Sequence, residues 1–223
     1  MVTVGDFPIA ICSFSFCPLW DNTHSFCSNA LSNQNPSRMK LLIVYGTTEG
    51  QTRKICEFLR DKADEAGHEV TLANALEAHI HPGGFDAVVI GASVHAGKYQ
   101  SAVEHYVQEN HEALNHSVTV FLSVSLAAAS DEPESWEELK KQSREFLENA
   151  GWEPTFVEYI AGALRYSKYN FLKKFIMRMI AQKSGRSTDT SQDTEYTDWE
   201  QVEGIIKRLE GKLSTDNKQE VPK

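Results

Sequence analysis

Residues 46–52, Gly46-Thr47-Thr48-Glu49-Gly50-Gln51-Thr52, place three threonine hydroxyls and two glycines directly after the apolar run Leu41-Leu42-Ile43-Val44-Tyr45. Short hydroxyl side chains and unhindered amides at the exit of a buried strand can bind an anion. Amides at a helix start have no intrahelical partner, and the helix dipole adds partial positive charge there. The loop is not built for a nucleoside triphosphate, because Gln51 stands where a P-loop carries its lysine and the loop is one residue short. It also lacks the Gly-x-Gly-x-x-Gly pattern of a dinucleotide site. The chemistry that remains is capture of a phosphate monoester, set against the plainer reading of a well-capped turn between a strand and a helix.

Two further segments bear on that choice. Ala92-Ser93-Val94-His95-Ala96-Gly97-Lys98-Tyr99 and Ser123-Val124-Ser125-Leu126-Ala127-Ala128 are built from small, hydroxyl and apolar residues, which suit a flat uncharged ring lying against backbone amides. Taken singly, each also reads as loop filler ending a strand. With the hydroxyl loop they predict FMN as the cofactor. Thr47, Thr48, Glu49, Gly50, Gln51 and Thr52 then stand at the phosphate, and Ser93, Val94, His95, Gly97, Ser123, Val124, Ser125, Leu126 and Ala127 at the ring. His95 could hydrogen-bond a flavin or a substrate, although a lone loop histidine is more often solvated.

These segments need a scaffold that brings them to one edge. Strands are predicted at Leu41 to Tyr45, Glu69 to Ala73, Ala87 to Gly91, Val118 to Val124 and Thr155 to Ala161. Between them lie helical patterns: Ile55, Phe58, Leu59 and Ala63 ending at Gly67, then Val103, Tyr106 and Val107, then Trp136, Leu139, Phe146 and Leu147 ending at Gly151. A last helix is predicted from a capping box, Thr197-Asp198-Trp199-Glu200, with Trp199, Val202, Ile206, Leu209 and Leu213 on its apolar face. Alternating strands and helices imply a parallel, doubly wound α/β sheet whose ligand sits at the carboxyl ends of the strands. The three loops lie after the first, third and fourth strands, where that rule puts them.

Composition narrows the function classes. The chain has 223 residues, 41% hydrophobic and 24% charged, enough for one domain with a full core plus appendages. A net charge of -9 argues against general nucleic-acid binding, and no apolar run reaches bilayer-spanning length. Cys12, Cys17, Cys27 and Cys56 have no zinc-site spacing, so no metal is expected and the thiols read as incidental ones in a reduced compartment. Residues 1–38 are rich in Ser and Asn and contain no Lys or Arg before Arg38; they read as a disordered leader or a mis-called start, with Met39 as the alternative beginning. The domain is expected to span 39–213, with a polar tail at 214–223.

From Met39 onward the chain resembles flavodoxin-fold proteins, and among them the menaquinone-dependent protoporphyrinogen oxidase family. The hydroxyl loop and Val89-Ile90-Gly91-Ala92-Ser93 carry the first likeness. Ile160-Ala161-Gly162-Ala163-Leu164-Arg165-Tyr166, Thr188-Asp189-Thr190 and Tyr196-Thr197-Asp198-Trp199-Glu200-Gln201-Val202 carry the second. The resemblance implies a five-stranded sheet of order 2-1-3-4-5. It also implies FMN-dependent oxidation of protoporphyrinogen IX to protoporphyrin IX in heme biosynthesis, with electrons passed to menaquinone or ubiquinone. The location it implies is peripheral, on the cytoplasmic face of the bacterial inner membrane. At His95-Ala96 the chain departs from members with a basic and an aromatic residue there.

Between the fifth strand and the last helix, the expected insert 163–187 has an unusual charge pattern. Arg165, Lys168, Lys173, Lys174, Arg178, Lys183 and Arg186 give seven positive charges with no acid from Arg165 to Arg186. Phe171, Leu172, Phe175, Ile176, Met179 and Ile180 recur at helical spacing opposite Lys173, Lys174 and Arg178. A basic amphipathic segment suits an anionic membrane surface, and a core-facing helix with a solvated face is the plainer reading. Arg165, Lys168, Lys173, Lys174 and Arg178 are therefore candidates for lipid or for substrate carboxylates. The competing functions are a flavodoxin-like electron carrier, an NAD(P)H:quinone oxidoreductase with another substrate, and a membrane-binding module. A phosphoacceptor receiver domain is disfavoured because Gly91-Ala92-Ser93 supplies no aspartate at the third strand's end.

Overall fold

The computed structural model describes residues 38–95, 97–164 and 194–219. Five parallel strands form the sheet: β1 (Lys40–Gly46), β2 (Glu69–Asn74), β3 (Ala87–Ser93), β4 (Val118–Ser125) and β5 (Phe156–Ala161). Their spatial order is β2-β1-β3-β4-β5, as expected from the sequence. Helices α1 (Gln51–Glu65), α2 (Ser101–Asn115) and α3 (Pro133–Ala150) connect them, and a C-terminal helix runs from Trp199 to Gln219, beyond the expected domain end at 213.

Because side chains alternate along a strand, a strand buried on both faces must be apolar throughout. β1 shows this: Leu41, Ile43 and Tyr45 enter the layer under α1 and the C-terminal helix, with Ile55, Leu59, Val202 and Leu209. Leu42 and Val44 enter the opposite layer under α2 and α3, with Val103, Val107, Phe121 and Phe146. Each fully buried Leu, Ile or Phe contributes about 1.5–3 kcal/mol relative to exposure. The central strands are thereby pinned, and with them the loops at their carboxyl ends.

One expected boundary is revised. The cap of the C-terminal helix is Asp198, whose Oδ1 accepts from the amides of Glu200 and Gln201 at 3.0 and 3.2 Å. Thr197 lies one residue outside the helix, and its hydroxyl donates instead to the Ala161 carbonyl at 2.7 Å. A tertiary partner for Thr197 thus displaced the local capping box.

A pair of two-residue strands closes the neck between β5 and the last helix. β6 (Ala163–Leu164) runs antiparallel to β7 (Thr194–Glu195), so the chain between them leaves and returns at one point. The expected insert lies mostly in 165–193, outside the described residues, as do Arg165, Lys168, Lys173, Lys174, Arg178 and residues 1–37 of the expected leader.

Candidate active site

The loop after β1 is shaped by its own residues. Gly50 takes φ 92°, a conformation costly for other side chains, and its amide donates to Thr47 Oγ1 at 2.8 Å. α1 then begins with neither a capping side chain nor an acidic residue in its first turn. Its N-terminal amides and dipole are left for an external anion.

Close packing brings that helix start to the sheet. A Cβ at Gly91 would lie 2.8 Å from Cys56 Sγ and 3.3 Å from Thr52 Cγ2. Cys56 is fully buried in this contact, and burial pushes its thiol up to about 12, so it packs rather than reacts. Thr52 is also fully buried, and its hydroxyl has no hydrogen-bond partner. A buried hydroxyl without a partner is costly unless a ligand supplies one.

Thr52 lines a cleft of about 320 Å³ at the carboxyl ends of the strands. Thr48, Glu49, Gln51, Thr52, Ser93, Val94, His95, Val124, Ser125, Leu126 and Ala127 share this wall. The structure therefore gathers residues from all three predicted loops into one cleft. Thr47, Gly50, Gly97 and Ser123, also predicted from the sequence, do not line it. Thr47 braces Gly50, Gly97 turns its loop at φ 79°, and Ser123 Oγ shares a 2.7 Å hydrogen bond with the Tyr99 hydroxyl. Burial pushes that phenol up to about 12, which keeps it neutral.

Backbone bonds lock the loops together. The amide of Val94 donates to the Val124 carbonyl at 2.9 Å, that of Gly162 to Ser125 at 3.2 Å, and that of Tyr196 to Gly162 at 3.1 Å. Ser125 Oγ accepts from the Ala127 amide at 3.1 Å, which shapes the short 3-10 turn Leu126–Ala129. A phosphate at the start of α1 and a flat ring between the second and third loops fit these residues. The observation that tests the fit is Thr52: an orphaned hydroxyl at the helix start in the cleft wall.

Comparison with known proteins agrees with this geometry. The flavodoxin domain family matches residues 42–191. Protoporphyrinogen IX dehydrogenase [quinone] of Escherichia coli strain K12 is 37% identical over 172 residues, covering 77% of this chain and 94% of that protein. The chain is a flavodoxin-family member and belongs with the protoporphyrinogen IX dehydrogenases. A relative of the same name from Leishmania major is 30% identical over 174 residues, covering 77% of this chain and 74% of its own. A flavoprotein from Lactobacillus acidophilus, solved in complex with FMN, is 14% identical with a TM-score of 0.41, covering 54% of this chain and 93% of that one. As a member of this family the chain is an oxidoreductase with a flavin cofactor.

Several residues not assigned to the site from the sequence also belong to it. Gln142 of α3, Gly162 and Ala163 complete the cleft wall. Gln142 reads as a position on a polar helix face, and its place at the cleft follows only from how α3 packs. Gln100 precedes α2; its amide nitrogen donates to the hydroxyls of Thr48 and Ser93, and its oxygen accepts from the Ser93 amide at 3.2 Å. Gln142 and Ala127 also border an adjoining hollow that carries Glu132, Glu134 and Glu138. No local motif marks Gln100 or Gln142, whose partners are distant in the chain, whereas Gly162 and Ala163 lie within the segment Ile160 to Tyr166 that carries the family resemblance.

Proposed function

We propose that this chain is an FMN-dependent dehydrogenase that oxidises protoporphyrinogen IX to protoporphyrin IX for heme biosynthesis and delivers the electrons to a membrane quinone. The observation that carries the reading is the 37% identity with the E. coli protein, extending over 94% of that protein's length. The cleft supports it with an uncapped helix start and an orphaned Thr52 hydroxyl suited to a phosphate.

When bound, FMN supplies two-electron redox chemistry, so the six-electron oxidation takes three cycles and reduces three quinones to quinols. The protein's part is to bind, orient and exclude. The amides of Gln51 and Thr52 and the hydroxyls of Thr48 and Thr52 would hold the phosphate. Val94, Val124, Leu126 and Ala127 line the cleft and would give the ring an apolar bed. None of these side chains has to act as a nucleophile.

Charge orients the substrate. Its propionates are disfavoured beside Glu132, Glu134 and Glu138, and the basic sequence begins at Arg165, the next residue in the chain after β6. Arg165, Lys168, Lys173, Lys174 and Arg178 are therefore proposed to serve propionates or anionic lipid, and a peripheral position on the cytoplasmic face of the bacterial inner membrane is proposed with them. Among the described residues no helix is long and apolar enough to cross a membrane.

The test is anaerobic mixing of the flavin-loaded protein with protoporphyrinogen IX, followed by a quinone. Flavin absorbance should fall on the first addition and recover on the second. Flavin that binds but keeps its oxidised spectrum with porphyrinogen would overturn the substrate, and reduction without recovery would overturn the quinone.

A further inference from the structure

Gln100 touches both the loop after β1 and the end of β3 through one side chain. Its Oε1 accepts from the Ser93 amide at 3.2 Å, which fixes which end of the amide is oxygen. Nε2 therefore faces the other way, with two hydrogens, and donates to Thr48 Oγ1 at 3.2 Å and to Ser93 Oγ. A hydroxyl that accepts a hydrogen bond retains its own hydrogen for a further acceptor. Thr48 and Ser93 both line the cleft.

The neighbouring backbone makes room for this arrangement. A Cβ at Gly46 would stand 2.4 Å from Val103 Cγ2 and 3.4 Å from both Cβ and Oε1 of Gln100. The glycine lets α2 approach closely enough for Gln100 to reach both loops.

We propose that Gln100 is a specificity-determining residue: anchored on Ser93, it donates to Thr48 and so turns that hydroxyl into a donor toward the cleft at the start of α1, which then selects a ligand rich in acceptors there, the phosphate of FMN over the free hydroxyl of riboflavin. This rests on the flavin reading of the cleft. Gln100 acts through Thr48, while the amides of α1 hold the phosphate independently. A carboxylate at this position would reverse the pattern, since it can only accept; the Thr48 hydroxyl would donate to it and turn a lone pair toward the phosphate.

The test titrates flavin-stripped full-length protein with FMN and with riboflavin, following quenching of flavin fluorescence. Gln100→Glu should lower the FMN-to-riboflavin affinity ratio by about 10- to 100-fold, the range of one or two charge-assisted hydrogen bonds, while riboflavin affinity changes by less than about threefold. Lowering the pH to protonate the introduced carboxyl should restore part of the ratio. Gln100→Leu separates orientation from added charge: it should lower the ratio by roughly 3- to 10-fold, and this effect should vanish in a Thr48→Val, Ser93→Ala background. Equal losses for both flavins, or a Gln100→Leu effect that persists in that background, would overturn the proposal. If Gln100→Glu does not fold, the Gln100→Leu pair decides alone. Failure of the wild-type protein to bind either flavin would overturn the cofactor reading itself.

Discussion

Gln51 and Glu195 lie 144 residues apart in sequence and are joined by a hydrogen bond of 2.8 Å from Gln51 Nε2 to Glu195 Oε1. The same amide donates to Thr197 Oγ1 at 2.9 Å, and Lys54, one turn along α1, reaches Glu195 Oε2 at 2.7 Å. The residue that opens α1 is thereby fastened to β7, the returning strand of the neck. The start of α1 and the neck form one polar unit.

This pairing makes stability depend on pH. Burial works to raise the Glu195 carboxyl, but hydrogen bonds from Lys54 and Gln51 together with the Lys54 charge hold it below its ordinary range. A depressed carboxyl stabilises the fold above its unfolded value and loses that contribution as pH falls through the folded one. Glu195→Gln keeps an acceptor for Gln51 but removes the ion pair. Because Lys54 and Glu195 are partly exposed, the expected loss at neutral pH is under about 1 kcal/mol. Urea denaturation of both proteins should show this difference at neutral pH, with the gap closing below roughly pH 4 or in high salt. A gap of unchanged size in acid would mean that the charge pair is not its source.

Thr52→Val should move two measurements in opposite directions. Removing a buried hydroxyl that lacks a partner leaves the flavin-free fold as stable or more so. The same change deletes a donor to the phosphate and should weaken FMN binding by about 10- to 100-fold, the worth of one charge-assisted bond. Thermal melts without flavin and FMN titration check the two halves. Unaltered FMN affinity would place the phosphate away from this hydroxyl.

The contrast between Thr52 and Gln100 shows what was legible in the sequence. Thr52 sits in a contiguous motif between an apolar strand and a helix, so local pattern alone exposed it, just as short apolar, β-branched runs exposed all five sheet strands. Gln100 and Gln142 carry no local signature, because their significance comes from Thr48, Ser93 and the cleft wall reached through folding. The ribbon of β6 and β7 was equally hidden: two residues on each side are too few to show a period, and their pairing spans distant sequence. Thr197 was misassigned as a cap for the same reason, since its carbonyl partner at Ala161 is remote.

Gly91→Ala should damage the site through packing. The added methyl would meet Cys56 Sγ at 2.8 Å, and overpacking a full core costs about 1–3 kcal/mol. It would also press on Thr52, so FMN affinity should fall together with stability. Cys56→Ala in the same chain removes the obstructing sulfur, and the double variant should be more stable than the sum of the two single losses implies. Strict additivity in denaturant titrations would show that the helix shifts as a body without a local collision.

The basic amphipathic sequence between β6 and β7 should couple the enzyme to membranes without holding the flavin. Its apolar residues Phe171, Phe175 and Ile176 recur at helical spacing, with Lys173, Lys174 and Arg178 between them. Replacing the first three with Ser removes apolar contact, and replacing the basic three with Gln weakens attraction to anionic lipid by roughly 1 kcal/mol per charge. Both triple variants should sediment less with vesicles containing anionic lipid, and both should lose turnover with a membrane quinone while keeping normal flavin content. The two changes are separable by salt: screening acts on charge and not on apolar burial, so the Gln variant should bind weakly and without salt dependence, whereas the Ser variant should remain salt-sensitive. Full vesicle binding by a protein carrying all six substitutions would exclude this sequence as the anchor.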